Sequence, residues 1–406
     1  IHTHYQTYVS LYHRLAHALA EDFFKHTLGK TPPNRVWTIQ EWGVGNGNLA
    51  ACFLSRLHEI DFNNQVYPFT HYILCDESEE ILKGTRANPR LKQHEGRFST
   101  VRVDAEHLDC FRPKSVTKII SNEIWDDLAT KVLIKNENQF YEEYLCPYLP
   151  DDFPGANEET FIEQFQKKDL HELAQRPSFL EAIYWERDFQ RVDLSDWPYA
   201  ETLQKHSQSL TNEIPMPINT GAFAALKKAK ELLAPDSLGY TGFDYGMLEF
   251  KDLNQEGRPY FNLYGGQYTF MVNFPLLEEV GREIGFSDIS REYQSEFVKR
   301  SLDAEVSGVV ELVQKHPQVA NMPGWDQDIL MLRTLQALNS IYHSPYPGKL
   351  EYPPMQGTPK KQRKQILQLA KNLSTRGVPD TVAYVTKEEV LAALKLLKKL
   401  GYREKD

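Results

Sequence analysis

The sequence predicts an α/β fold built on a parallel, doubly wound sheet, and three observations lead to this prediction. Short β-rich runs alternate with segments in which apolar residues repeat at helical spacing. Each run ends in polar residues, and a glycine-rich turn follows the first of them. Strands that alternate with helices form parallel sheets, and ligands bind at the carboxyl ends of such strands. Functional residues are therefore expected at these strand ends.

Composition and charge exclude several classes of protein. The chain has 406 residues, enough for two or three structural units with a large core. Its formal net charge of −10 disfavours broad nucleic-acid binding, because phosphates are neutralised by a surplus of Lys and Arg. No apolar run approaches the roughly 20 residues that a membrane-spanning helix needs. We therefore expect neither a nucleic-acid nor a membrane partner, and the sequence leaves the oligomeric state open.

Cysteine usage and the start of the chain bear on the cellular compartment. The four cysteines are widely spaced and form no CxxC pair, so neither a thiolate zinc site nor a disulfide framework is favoured. The chain opens at Ile1 without a signal-peptide pattern. We expect a cytoplasmic protein, or a protein of the mitochondrial matrix if a targeting segment has been removed.

The first half of the chain predicts four strands. A helix over residues 10–26 precedes the first strand, 36–39, and a helix marked by Leu49, Phe53 and Leu57 follows the glycine-rich turn. Three more strands are predicted, each followed by polar residues: His71–Cys75 before Asp76-Glu77-Ser78, Ser99–Val103 before Asp104, and Val116–Ile120 before Ser121-Asn122-Glu123. A hairpin is predicted over Lys131–Tyr144, with its turn at Asn136–Asn138.

The second half begins with residues 147–211, whose irregular, acidic and aromatic sequence predicts an insertion or lid. The α/β pattern then resumes with a helix from Thr220, a strand Leu238–Phe243 before Asp244-Tyr245-Gly246, a strand Tyr268–Phe274 and a helix that ends at Gly285. Later helices begin after Thr358-Pro359 and at the capping box Thr386–Glu389. Four segments are predicted: a Rossmann-like core over 1–146, an insertion or lid over 147–215, the completion of the core over 216–300 and a helical C-terminal extension over 301–406.

The turn Glu41–Asn48 is the candidate ligand-binding element. Its alternate glycines, Gly43, Gly45 and Gly47, let the backbone turn sharply and let a ligand approach without Cβ atoms in the way. The helix that begins near Asn48 offers free backbone N–H groups. Glu41 suits a cationic ligand, such as the amino group of a methionine moiety, and would repel a pyrophosphate. The turn therefore predicts binding of S-adenosylmethionine.

Two acids at strand ends extend this prediction. Asp76 is placed to accept hydrogen bonds from ribose hydroxyls, and Asp104 could contact the adenine amino group. Glycine turns and strand-end acids are each common in α/β proteins. The combination of the glycine turn with Glu41, Asp76 and Asp104 is what favours S-adenosylmethionine as the ligand. A nicotinamide-dependent oxidoreductase is the alternative, but its fingerprint is GxGxxG, whereas this turn has the spacing GxGxG.

Four segments resemble the MidA-type family of S-adenosylmethionine-dependent methyltransferases, which includes mitochondrial methyltransferases that act as complex I assembly factors. The similarity extends, with gaps, from about Tyr5 to Val298. The segments are Glu41–Asn48, similar to E-L-G-P-G-x-G; Tyr72–Leu82, similar to E-x-S-P; Asn122–Leu128, similar to N-E-x-x-D-A-L-P; and Phe243–Gly246, similar to I-D-Y-G. The last two are the most specific, because generic methyltransferases lack both.

The resemblance implies a Rossmann-like class I methyltransferase sheet with S-adenosyl-L-methionine as its cofactor. The donor-binding candidates are Glu41, Gly43, Gly45, Gly47, Asn48, Asp76, Glu77, Asp104, Ala105 and Asn122. The catalytic candidates are Asp126, Glu123 and Asp244. Glu123 and Asp126 could clamp a guanidinium group and help to remove a proton from it.

The chain departs from the family pattern on the acceptor side. Ala129 stands where the family has Pro, and Gln267, Met271 and Asn273 replace the polar residues of its D-x-T-x-H-x-D-F segment. The substrate-binding candidates are Tyr245, Gln267 and Asn273. Similar departures occur in methyltransferase domains of polyketide loading modules, some of which use a mononuclear metal. Gln267 and Asn273 share one face of the predicted strand, but neutral amides are weak ligands for transition metals, so no metal site is predicted.

The expected activity is methylation of a protein side chain, arginine included, or of a carrier-bound or small-molecule acceptor. The alternative is a methyltransferase-like assembly or scaffold protein without catalysis. The donor site is not expected to be lost completely, because Glu41, the glycine turn and Asp76 are intact. The altered acceptor side means that the sequence does not decide between catalysis and a scaffold role.

Overall fold

The structure is a computed structural model of the chain. It describes residues 13–32, 35–137, 139–150, 158–167, 169, 172, 184–264, 267–340, 352, 354–355, 357–375 and 384–404. The chain divides into two compact units. The first unit comprises Ile1–Asn122, Leu232–Gly242 and Arg291–Asp406, and the second comprises Glu123–Glu231 and Phe243–Ser290. These boundaries differ from the four predicted segments, because each unit is assembled from pieces that are distant in the sequence.

The secondary structure alternates strands and helices through most of the chain. The strands are β1 (Trp37–Trp42), β2 (Thr70–Asp76), β3 (Phe98–Arg102), β4 (Lys118–Asn122), β5 (Lys131–Asn136), β6 (Gln139–Tyr148), β7 (Tyr184–Val192), β8 (Pro215–Ile218), β9 (Tyr240–Phe243), β10 (Gly246–Met247), β11 (Phe261–Tyr264), β12 (Gln267–Phe270), β13 (Val272–Asn273), β14 (Val306–Gly308) and β15 (Tyr384–Thr386). The helices are α1 (His13–Thr27), α2 (Asn48–Ile60), α3 (Glu79–Ala87), α4 (Pro89–Lys92), α5 (Glu158–Gln166), α6 (Ala200–Gln208), α7 (Thr220–Leu232), α8 (Phe250–Leu253), α9 (Phe274–Ile284), α10 (Gln294–Leu302), α11 (Val309–Gln314), α12 (Gly324–Asn339), α13 (Lys360–Thr375) and α14 (Lys387–Lys399). Within the described ranges, no helix combines the length and apolarity needed to cross a membrane.

A five-stranded sheet forms the centre of the first unit, with the strand order β3-β2-β1-β4-β9. The strands β1 to β4 pair in parallel, which confirms the predicted fold class. Trp42 lies opposite Cys75 of β2 and opposite Ser121 of β4, so these three strands end together. The glycine turn, Asp76 and Asn122 therefore lie at the carboxyl edge of the sheet, where ligands bind in such folds.

Helices α1 and α2 pack against this sheet through an aromatic cluster. The ring of Phe53 lies 5.7 Å from that of Phe23 and 5.4 Å from that of Tyr72, measured between centroids. All three side chains are buried, and burial of an apolar side chain of this size contributes about 1.5–3 kcal/mol. The helical periodicity of the sequence therefore predicts the faces that pack on the sheet.

The helical C-terminal extension is confirmed. Helices α11 to α14 share an apolar core that includes Leu312, Leu332, Ile366 and Leu397. The capping box at the start of α14 is present, because Thr386 Oγ1 accepts the Glu389 N–H at 3.3 Å and Glu389 Oε2 accepts the Thr386 N–H at 2.8 Å. The short antiparallel pair β14–β15 in this region has no counterpart in the sequence prediction.

The second unit contains an antiparallel sheet with the order β7-β6-β5-β8. The predicted hairpin Lys131–Tyr144 is confirmed as β5 and β6, although its turn residue Asn138 lies outside the described residues. The prediction of irregular structure over 147–211 is wrong for Tyr184–Val192, which forms the strand β7 beside β6. The apolar alternation that would reveal this strand is missing, because most residues of β7 are exposed.

The predicted strand Tyr268–Phe274 is also wrong in its extent. It is divided at Met271 into β12, which pairs with β11, and β13, which pairs with β10. Phe274 begins helix α9, since Asn273 caps that helix and Pro275 occupies its first turn. Gln267 and Asn273 therefore belong to different strands and do not share one face of a single strand.

Candidate functional site

The glycine turn after β1 is held in an unusual backbone conformation. Gly43, Gly45 and Gly47 have φ angles of 74°, 50° and 74°, which lie in the left-handed region that favours glycine. The Gly43 N–H donates to Cys75 O at 2.9 Å, and the Gly47 N–H donates to Val44 O at 2.9 Å. The alternate glycines of the sequence are thus explained by the conformation of the turn itself.

The surroundings of two of these glycines differ. A Cβ atom at Gly47 would lie 2.8 Å from both Leu91 Cδ1 and Thr85 Cγ2, so this side of the turn is filled by protein. A Cβ atom at Gly45 would meet no atom of the described residues within 4 Å. Gly45 therefore borders open space from which a ligand can approach the backbone.

Asp76, at the end of β2, holds the turn against the neighbouring strand. Its Oδ2 accepts the Val44 N–H at 3.2 Å, and its Oδ1 accepts the Ser78 N–H at 2.9 Å. Burial raises the pKa of Asp76 above its usual value, although these two hydrogen bonds act in the opposite direction. A carboxylate has about four acceptor positions, so the side chain retains capacity for ligand hydroxyls.

Two further side chains that support the turn were missed by the sequence analysis. Thr85 Oγ1 donates to Gly45 O at 2.9 Å, and Asn88 Nδ2 donates to Asn46 O at 2.9 Å and to Asn48 Oδ1 at 3.1 Å. In the sequence, Asn88 precedes a proline, and this pattern predicts a helix cap at the start of α4. The pattern does not predict that Asn88 contacts residues some 40 positions earlier in the chain.

Glu41 lies in β1 and is almost completely buried. The Tyr72 hydroxyl donates to Glu41 Oε2 at 2.7 Å. Burial raises the pKa of Glu41 to about 8, with the hydrogen bond from Tyr72 lowering it and the nearby Asp76 raising it. The side chain is therefore mostly protonated at neutral pH in this structure and is not the carboxylate that the sequence predicts. An ammonium group nearby would favour its ionised form.

The remaining donor-binding candidates lie at or just after the strand ends. Asp104 is partly exposed, its Oδ1 accepts the Glu106 N–H at 2.8 Å, and its Oδ2 lies 2.9 Å from His107 Nδ1. Burial alone would raise the pKa of Asp104, but these hydrogen bonds outweigh it and lower the pKa. Glu77 is exposed, and its carbonyl accepts Arg102 Nε at 2.9 Å. Ala105 lies in the loop after β3, and Asn122 ends β4.

In the second unit, the structure brings together two of the predicted catalytic residues, Asp126 and Asp244. Asp244 Oδ2 accepts the N–H groups of Trp125 at 2.8 Å and Asp126 at 3.3 Å, and Asp244 Oδ1 accepts the Tyr245 N–H at 2.8 Å. Oδ1 of Asp126 is buried and has no hydrogen-bond partner among the described residues. The segments Asn122–Leu128 and Phe243–Gly246 therefore meet through their aspartates.

The two carboxyl groups differ in their protonation. Burial raises the pKa of Asp126 to about 6, with the Asp127 carboxylate raising it further and a hydrogen bond with Asp244 lowering it. Burial and the charge of Asp126 raise the pKa of Asp244 well above its usual value. The two groups titrate as a pair, and Asp126, with its pKa of about 6, is the group that ionises near neutral pH.

Glu123 and Tyr245 lie beside this pair. Glu123 has a φ of 52°, and its backbone N–H donates to Phe243 O at 2.8 Å. The Tyr245 hydroxyl lies 3.5 Å from Glu123 Oε1, and the Tyr245 side chain is exposed. Glu123 and Tyr245 therefore lie next to the aspartate pair within the second unit.

The two other substrate-binding candidates have different positions. Asn273 is buried and caps α9, with its Oδ1 accepting the Leu276 N–H at 3.2 Å. Its own N–H donates to Asn219 Oδ1 at 2.9 Å, and its amide nitrogen lies 3.3 Å from His206 Nε2. Gln267 begins β12, but its side chain lies outside the described part of the structure. A role of either residue in substrate binding stays a prediction.

Within the described ranges, no three His, Cys, Asp or Glu side chains form a group that could hold a metal ion. His13 and His17 lie one turn apart on α1, with 5.1 Å between their ring centroids. Burial lowers the pKa of His17 to about 4, so this ring is neutral at physiological pH.

Comparison with known proteins gives a family match and structural likenesses that include two bacterial proteins. Residues 18–245 match a family described as "Putative S-adenosyl-L-methionine-dependent methyltransferase". A crystal structure of a superfamily member from Burkholderia thailandensis bound to S-adenosyl-homocysteine is 13% identical, with a TM-score of 0.46, and covers 94% of this chain and 77% of that chain. A second crystal structure from the same organism is 13% identical, with a TM-score of 0.45, and covers 93% of this chain and 79% of that chain. No curated protein matches the chain.

Proposed function

The chain belongs to this family of S-adenosyl-L-methionine-dependent methyltransferases, as its MidA-type segments predict, and we propose that it methylates a nitrogen or oxygen atom of its acceptor. The acceptor is a protein side chain, arginine included, or a carrier-bound or small molecule. The observation that supports transfer to a heteroatom is the pair Asp126 and Asp244, because a nucleophilic N–H or O–H group must lose its proton.

The first unit supplies the donor site in this proposal. The open space at Gly45 lets the methionine part approach the turn, and the free acceptor positions of Asp76 suit ribose hydroxyls. Asn48 and Glu41 flank the turn, and Asp104, Ala105, Glu77 and Asn122 complete the proposed donor site. When bound, S-adenosylmethionine supplies an electrophilic methyl group. The residues of the turn hold and orient this donor, and alignment of this kind accounts for much of the rate in an in-line displacement.

The second unit supplies the base. Asp126 has a buried oxygen with no hydrogen-bond partner in the described part of the structure and a pKa of about 6, so at neutral pH its carboxylate can accept the proton that the nucleophile releases. A hydrogen bond with Asp244 favours the ionised form of Asp126. Glu123 and Tyr245 are the neighbouring groups that would contact the acceptor.

Incubation of the protein with a methyl-labelled donor in a cell extract tests this function. Label in protein, carrier-bound acyl groups or small molecules identifies the acceptor class, and the Asp126→Asn variant is the negative control. Calorimetric titration with S-adenosylmethionine and with NAD tests the donor separately. Donor binding without any label transfer would overturn the proposal and favour the scaffold alternative.

A further inference from the structure

A cavity of about 210 Å³ lies in the second unit, between strands β5 and β6 and the β11–β12 hairpin. Its lining is mostly aromatic or aliphatic and consists of Thr130, Val132, Glu143, Tyr144, Leu145, Tyr260, Phe261 and Phe270. An apolar cavity of about 150 Å³ is large enough to hold benzene. The cavity of this protein therefore has room for one substituted aromatic ring.

One wall of the cavity is joined to the backbone of Asp126. The Phe270 side chain lines the cavity, and the Phe270 N–H donates to Asp126 O at 2.9 Å. Thr130, on another wall, follows Asp126 by four residues. Two parts of the lining are thus connected to the residue that we propose as the base, while the aspartates themselves lie outside the lining.

The only acid in the lining already has its charge compensated. Glu143 is almost completely buried and accepts Arg187 Nε at 2.8 Å as well as the Tyr260 hydroxyl at 2.8 and 2.9 Å. The Arg187 guanidinium also lies over the rings of Tyr260 and Phe261, with 5.4 and 6.0 Å to the centroids. A cationic ligand would have to compete with Arg187 for the carboxylate and the ring faces.

We propose that this cavity receives an uncharged aromatic ring of the methyl acceptor. The proposal rests on the proposed function, since it assigns the cavity to the acceptor of that reaction. Aromatic walls bind another ring through edge-to-face and offset contacts, which add to the gain from burying apolar surface. The pairing of Glu143 with Arg187 makes the cavity selective for a neutral ring over a cation.

Binding of 5-fluoroindole to the full chain, followed by ¹⁹F NMR, tests the cavity without requiring methyl transfer. Leu145→Trp fills the cavity and is expected to weaken fluoroindole binding at least about tenfold. Leu391→Trp is the matched control, because Leu391 is exposed on α14, and it should leave the affinity unchanged. If Leu145→Trp fails to fold, Val132→Phe is used in its place, because it fills the same cavity with a smaller added side chain. Absence of binding to the wild type, or equal binding to a folded cavity-filling variant, would overturn the proposal.

A second measurement tests the charge argument. The wild type is expected to bind indole at least about tenfold more tightly than the cation benzamidine. Arg187→Met leaves the Glu143 charge uncompensated and should shift this ratio towards benzamidine. Tighter binding of benzamidine to the wild type would contradict the assignment to a neutral ring.

The two proposals can fail separately. If Asp126→Asn abolishes transfer while Leu145→Trp changes neither fluoroindole binding nor the KM for the labelled acceptor, the function stands and the cavity assignment falls. If Leu145→Trp abolishes fluoroindole binding but no label is transferred to any acceptor, the cavity binds aromatic rings and the proposed function falls.

Discussion

The backbone N–H of Asp126 donates to the Oδ2 atom of Asp244 at 3.3 Å, and burial raises the pKa of both side chains. Asp244 receives three backbone N–H groups, which lower its pKa, yet its burial and the charge of Asp126 raise that pKa well above its usual value. Asp126 is thereby left as the group that ionises near neutral pH. This division of roles within one pair leads to the first prediction.

Asp126→Asn should lower the rate of methyl transfer about 100-fold or more, because the amide cannot accept a proton. The wild-type rate should rise with pH through about 6, since Asp126 must be deprotonated to act as a base. Rates measured from pH 5 to 8 with the acceptor identified by labelling would check both effects. Asp127→Asn is the control: it should keep the activity and move the rise to lower pH, because the Asp127 charge raises the pKa of Asp126. A pH profile that does not move in this control would contradict the assignment.

Gly45→Arg should abolish donor binding while leaving the fold largely intact, because the new side chain would occupy the open space beside the turn. Gly96→Arg provides a matched control. Gly96 also has a positive φ and open space at its Cβ position, but it lies away from the turn. Isothermal titration with S-adenosylmethionine measures the outcome, and an unchanged affinity in Gly45→Arg would refute the placement of the donor site.

Gly47→Ala should destabilise the protein more than Gly45→Ala. Both replacements put a side chain in the left-handed region, at a cost of about 1–2 kcal/mol. Only the Cβ at position 47 would also collide with Leu91 and Thr85, and such overpacking adds about 1–3 kcal/mol. Urea denaturation of the two variants measures the difference in the free energy of unfolding. Equal losses would mean that the turn is not packed against these side chains.

Glu41→Gln should remove a pH dependence of the folding stability. The pKa of Glu41 is about 8 in the folded protein and 4.5 in its ordinary state, so the folded protein holds a proton that the unfolded chain has lost between these values. This contribution to stability is fully present below pH 4.5 and is lost as the pH rises to about 8, with a slope of at most about 1.4 kcal/mol per pH unit. Denaturation of the wild type and the variant at several pH values between 5 and 9 checks the prediction. Glu95→Gln is the control, because Glu95 is exposed. If the free energy of unfolding of Glu41→Gln and that of the wild type change with pH in the same way, the prediction is contradicted.

Local patterns gave a correct account of the central elements. The apolar run at His71–Cys75 lies within β2, the run at Ser99–Val103 overlaps β3 except for Val103, and the capping box at Thr386 begins α14. These features were predictable because strand alternation and helix capping depend on neighbouring residues. The strand β7 was missed because most of its residues are exposed and its apolar residues do not alternate. The run at Tyr268–Phe274 was misjudged because it is divided at Met271 and because Asn273 ends its second strand as the cap of α9.

The sequence by itself determined the parallel sheet, the glycine turn and the family to which the chain belongs, because these depend on residue types at fixed spacing. Only the tertiary structure decided which distant side chains support the turn, such as Thr85 and Asn88, and which carboxyl groups have raised pKa values. Contacts and pKa values of this kind depend on burial and on residues that are tens to more than a hundred positions apart, as Asp126 and Asp244 are. A local sequence pattern cannot predict a contact between residues so far apart in the chain, so the pairing of Asp126 with Asp244 is seen only in the folded structure.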